Sequence, residues 1–119
     1  MFTLDTSNDR YLHIRAGGRL RASDYDAMEP ALEAELQRRE RQAPLLLDLR
    51  GWRGWTPGGL VRDLRFDLRH RDSFPRIAVI GDRSWHRWLT IAAKPVFSGR
   101  MLYFREEPEA VEWVSAGPV

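Results

Sequence analysis

The chain has 119 residues, 43% of them apolar and 30% charged, which is the balance of a globular rather than a disordered protein. The length suits one domain, taken as residues 1–119, large enough to bury a core without staples. With no cysteine and a net charge of +2, disulfides, thiolate zinc sites and a cysteine nucleophile are excluded, and no nucleic-acid partner is expected.

Phe2 to Thr6 and Tyr11 to Ala16 read as two short strands joined by a turn at Ser7-Asn8-Asp9. Leu12, Ile14 and Ala16 alternate with Tyr11, His13 and Arg15, which suits an antiparallel edge hairpin wet on one face. Gly17-Gly18 breaks that pattern. A helix is expected from Ser23, with Asp26 completing a variant capping box. Tyr25, Met28, Leu32 and Leu36 share one face of it, and Pro30 predicts a kink or restart near Glu29.

Three apolar runs follow, Pro44 to Leu49, Ile77 to Ile80 and Met101 to Phe104, each the kind of strand a parallel sheet covers on both faces. Between them lie two helices. Leu60, Val61, Leu64 and Leu68 make the stripe of the first, and Trp85, Trp88, Leu89 and Ala92 that of the second, which Pro95 stops. Glu106 to Val114 makes a last helix, with Pro108 in its first turn. The order β-β-α-β-α-β-α-β-α predicts an α/β fold. Its sheet should have about five strands, mainly parallel, with an antiparallel N-terminal hairpin edge and about four helices. Met1-Phe2-Thr3-Leu4-Asp5 has no features of a secretory signal or a lipidation site, and no apolar run approaches the ~20 residues of a membrane span. The expected location is cytoplasmic, with peripheral contact at the inner membrane left open.

The segment Leu47-Asp48-Leu49-Arg50-Gly51-Trp52-Arg53-Gly54-Trp55-Thr56-Pro57-Gly58-Gly59-Leu60 holds the candidate site. It reads as a strand end, a Gly-rich loop with two tryptophans, and a helix start near Thr56. In open α/β sheets, ligands bind at the carboxyl ends of the strands, where Trp52, Trp55 and Thr56 would lie.

The chain also resembles the SpoIIAA-like branch of the STAS superfamily. The residues that carry the resemblance are Leu-Leu-Leu-Asp-Leu-Arg at 45–50, Gly54-Trp55-Thr56 and the helix from Asp63 to His70. Phe74-Pro75-Arg76-Ile77-Ala78-Val79-Ile80-Gly81-Asp82 and Trp85-His86-Arg87-Trp88-Leu89 follow, with Asp24-Tyr25 and Pro30-Ala31-Leu32 upstream. The resemblance implies a non-enzymatic domain related to anti-sigma-factor antagonists and to Sec14-type lipid-binding domains. Those antagonists carry a phosphorylated serine in an Asp-Ser-Ser-Gly-type motif, where this chain has Trp55-Thr56-Pro57-Gly58. Thr56 is therefore the candidate phosphorylation site, although the motif's acidic residue and serine pair are missing. By its position Thr56 equally suits an N-cap followed by Pro at N1.

Arg62, Arg65 and Arg69 line up opposite the leucine stripe with Phe66 among them, a face suited to an anionic lipid layer or an acidic partner, or simply to solvent. Trp52, Trp55, Phe66 and Trp88 are candidate walls of an apolar pocket, with core packing as the plain alternative. His13, His70 and His86 lack ligand spacing, and neither a metal, a cofactor nor a catalytic constellation is expected. Two readings remain. One is a regulatory or protein-interaction domain with a protein partner or a homodimer. The other is a binder of a lipid-like apolar molecule with peripheral contact to anionic membrane.

Overall fold

In the computed structural model, which describes residues 1–116, five strands form one sheet whose spatial order repeats their order in the chain. They are β1 (Phe2–Asp5), β2 (Leu12–Leu20), β3 (Leu45–Trp55), β4 (Arg76–Ile80) and β5 (Arg100–Phe104). β1 runs antiparallel to β2, and every other pair is parallel. The helices are α1 (Ala22–Arg38), α2 (Pro57–Arg69), α3 (Ser84–Ala93) and α4 (Glu107–Ser115). The expected α/β architecture is therefore the observed one.

Alternating residues of the central strands divide the core in two. Leu45, Leu49, Ile77 and Val79 join Tyr25, Met28 and Leu32 of α1 and Phe66 of α2 in the larger cluster. Leu89 and Ala93 of α3 pack against the same cluster. Leu46, Ala78 and Ile80 point the other way, to Ala110 and Val114 of α4. Three helices thus cover one face of the sheet, and α4 covers part of the other.

Three local expectations change. α1 does not restart at Pro30, and its cap is Arg21, two residues before the expected Ser23, with the Asp24 carboxylate accepting the Arg21 amide at 2.8 Å. Gly17-Gly18 does not end β2, which runs on to Leu20 beside a β3 that continues to Trp55. The region expected as a Gly-rich loop is thus a two-stranded ribbon. Its pairing shifts register twice, and Gly18 and Gly54 flank the second shift at φ +63° and +111°. β4 pairs with β3 only as far as Asp48, so the part that carries both tryptophans projects past it.

The third change is the rotation of α2. Its leucine stripe was expected to face the core. Instead Leu60, Val61, Leu64 and Leu68 are 42–59% exposed, while Phe66 on the opposite side is buried. On α3, likewise, Trp88 is 70% exposed and Ala92 is exposed, and the buried positions are His86 and Thr90. No helix among the described residues is long and apolar enough to cross a membrane.

Candidate functional site

Two anchors set the rotation of α2. At its start, Thr56 is an N-cap: its hydroxyl accepts the Gly59 amide at 3.0 Å and lies 3.4 Å from the Leu20 carbonyl. Gly59 must be glycine, because a Cβ there would stand 2.0 Å from that same carbonyl oxygen. The structure thus places Thr56 as the cap, with Pro57 behind it at the helix start and both hydroxyl functions engaged.

The second anchor is Glu29 of α1, only 3% exposed. Arg62 donates to one of its carboxylate oxygens. Arg69 and the His70 ring reach the other at 3.2 and 2.7 Å. Arg62 also donates to Asp26 at 3.0 Å. Burial alone would raise the Glu29 pKa, but the bonds from Arg62 and His70 outweigh it and hold the carboxyl below the usual range. A buried carboxylate needs such partners, and only α2's arginine face supplies them. The Arg62 side chain is consequently 12% exposed rather than free for an outside anion. Arg69 keeps 52% of its side chain exposed while bound to Glu29. Arg65 is exposed and has no ion pair among the described residues.

With α2 fastened to α1 by its polar face, its apolar face is left beside α3. A cavity of about 270 Å³ lies there, floored by the sheet and walled by Leu60, Leu64 and Phe66 of α2 and by Leu89, Thr90 and Ala93 of α3. Leu60 and Leu64 line it and also meet solvent. Trp52 and Trp55 close one end from the β3 extension, their rings 4.6 Å apart, with Trp85 4.8 Å from Trp52. The carbonyl of Trp52 lies 3.2 Å from Nε2 of His86. Its own indole N–H is buried and has no partner among the described residues.

Among the residues that line the cavity, Asp63 and Asp67 alone carry acidic groups and none is basic. A hydrogen-bond relay ends on the first of them. The Trp55 indole donates to the Tyr25 hydroxyl at 2.7 Å, and that hydroxyl donates to the Asp63 carboxylate at 2.7 Å. Burial pushes both aspartates upward; Asp67, facing the Asp63 charge as well, reaches about 9. At neutral pH, then, Asp67 keeps its proton. Burial also raises the Tyr25 phenol, so it stays a donor.

Of the expected pocket walls, Trp52, Trp55 and Phe66 line this cavity, and Trp88 stands outside it on the surface. The arginines expected to form one outer face are split, with Arg62 turned in and Arg65 turned out. Tyr25, Glu29, Asp63 and Asp67 were not anticipated as site residues. Asp63 and Asp67, four apart on the face that carries Phe66, and Glu29, on the face of α1's apolar stripe, were the available signals.

Glu29, Glu33 and His70 bring three donor atoms within 4.8 Å of one another, as a metal site would. Their chemistry does not fit one: two guanidinium groups already hold Glu29, and a cation would have to displace them. Asp48 hydrogen-bonds to Arg50, which reaches on to Glu107 on the face of α4.

The fold aligns with the crystal structure of a Shewanella loihica PV-4 protein from the DUF3478 family, described as having a SpoIIAA-like fold. The TM-score is 0.83 at 28% sequence identity, over 96% of this chain and 92% of that one. No curated protein gives a match. The SpoIIAA-like family model matches residues 11–115, from the start of the long β2–β3 ribbon through α4, and the chain belongs to the SpoIIAA-like family.

Proposed function

We propose that this chain is a non-catalytic binding domain that takes a lipid-like apolar molecule into the cavity between α2 and α3, at the surface of an anionic membrane. The cavity carries this reading. It is apolar on nearly every side, about 270 Å³ in volume, and rimmed by leucines that also meet water. Leu60, Val61, Leu64 and Leu68 of α2 and Trp88 and Ile91 of α3 extend the rim into an exposed apolar surface. Exposed Arg65 and Arg87 and the half-exposed Arg69 flank that surface and suit lipid phosphates. Two histidines are committed within the fold, His70 to Glu29 and His86 to the Trp52 carbonyl, which supports a binding rather than a catalytic role.

The test has two parts. Native mass spectrometry of the purified chain should show a co-purified or added lipid-like molecule. Co-sedimentation with vesicles of anionic phospholipid at low salt should carry the chain down, and vesicles of neutral lipid should carry less. A chain that binds neither loses this reading.

The exposed stripe also favours a regulatory domain that pairs with a protein partner or a second copy. That alternative needs the stripe and not the cavity. A concentration-dependent dimer with an empty, unresponsive cavity would select it.

A further inference from the structure

We propose that the cavity selects amphiphiles whose head is a protonated amine, held by the Asp63–Asp67 carboxyl pair of α2, with the apolar body lying along the sheet floor. The inference rests on the cavity reading above and adds the chemistry of the head group.

Three features of the wall carry it. First, the carboxyl pair is placed where an occupant would touch it, since both aspartates line the cavity and every other lining residue is uncharged at neutral pH. Second, the pair has no cation of its own. Among the described residues no ion pair reaches either aspartate, the guanidinium of Arg62, next to Asp63 in the chain, is taken by Glu29 and Asp26, and the groups that reach Asp63 are a phenol and a carboxyl. A carboxyl pair at an apolar wall with no cation beside it is the complement of an ammonium group with its three N–H donors. Third, the buried Trp52 N–H in the same wall has no acceptor and lacks a partner until the cavity is filled; an ammonium cannot accept it, so it calls for an acceptor elsewhere on the occupant.

The same wall disfavours the other amphiphile heads. A carboxylate head would add a third acid to a wall that has no basic group. A hydroxyl could hydrogen-bond to Asp63 but brings no charge. An ammonium group brings three donors and the missing cation. Tyr25 of α1 is the remaining titratable group at the wall, and it keeps its proton in donating to Asp63.

The test is isothermal titration of the full chain with three probes of equal length, decylammonium, 1-decanol and decanoate, below their aggregation limits. Decylammonium should bind about tenfold or more tighter than 1-decanol, as expected for one charge-assisted hydrogen-bonded contact, with decanoate weakest. Asp63→Asn, which keeps an acceptor for the Tyr25 hydroxyl but removes the carboxyl that would meet the amine, should bring the amine and alcohol affinities together. The ranking on the unmodified chain stands as a test without any variant. Equal affinity for amine and alcohol, or a preference for decanoate, overturns the amine selectivity and leaves the cavity reading in place. Binding of none of the three overturns the cavity reading itself.

Discussion

α2 meets its two neighbours in opposite ways. Against α1 it is sealed by charge, with Glu29 gripped by Arg62, Arg69 and His70. Toward α3 it offers leucines, and the space between is a cavity. An amphipathic helix ordinarily buries its apolar side and wets its polar side. Here the polar side does the fastening, and the apolar side is left for something outside the core. The contrast separates two roles that a stripe of leucines usually combines, holding the helix in place and lining a surface.

The sealed side can be broken. Glu29→Gln removes the charge that holds two arginines and leaves Arg62 half-desolvated, so urea unfolding should show a loss of about 3 kcal/mol. A stability within 0.5 kcal/mol of the parent would mean that the network does not position α2. Gly59→Ala attacks the same seating from the other end. Forcing a methyl against the Leu20 carbonyl should cost about 1–3 kcal/mol, read by the same unfolding curves.

The open side predicts the reverse sign. Asp67 keeps its proton up to about pH 9 in the folded chain, against an ordinary value of 3.8. Its contribution is therefore full below about pH 4 and is lost as pH rises through about 9, because there the unfolded chain binds fewer protons. Glu29 works oppositely: its support is present above the ordinary carboxylate range and is lost as acid protonates it. Asp67→Asn should flatten the decline between about pH 4 and 9 and gain about 1–3 kcal/mol at pH 8, in thermal melts taken across the pH range. An unchanged slope would show that Asp67 is not buried as described. The smallest effect on the fold belongs to Leu68→Ser, which should change stability by no more than about 0.5 kcal/mol. It should still lower the fraction of chain carried down by anionic vesicles, and undiminished co-sedimentation would remove α2 from the docking surface.

Much of the fold was legible because buried strands are written as apolar runs. Leu45 to Leu49, Ile77 to Ile80 and Met101 to Phe104 each became a strand. Glycine was the first source of error. In Gly17-Gly18 and Gly51-Trp52-Arg53-Gly54 it reads as turn chemistry, yet here it serves irregular pairing within a continuing ribbon. The second was the assumption that the larger apolar stripe of a helix faces inward. Nothing local in Leu60 to Leu68 contradicts that. The contradiction sits on another helix, in Glu29, whose burial matters only once α1 and α2 lie side by side. For the same reason Trp52 and Trp55 could be placed near the site from sequence, while the Trp55–Tyr25–Asp63 relay, spanning three elements, could not.

The order of the sheet bears on how the chain is made. Each strand pairs with its successor, so no strand waits for a later one to slot between partners already joined. A chain leaving the ribosome can add β3 to β2, then β4, then β5, closing each loop over one intervening helix. Only α4, the last element, is needed to cover Leu46, Ala78 and Ile80 on the second face. Stepwise assembly of this kind keeps each parallel closure to a single strand–helix–strand unit. Until synthesis reaches α4, that apolar strip is the growing chain's exposed aggregation hazard.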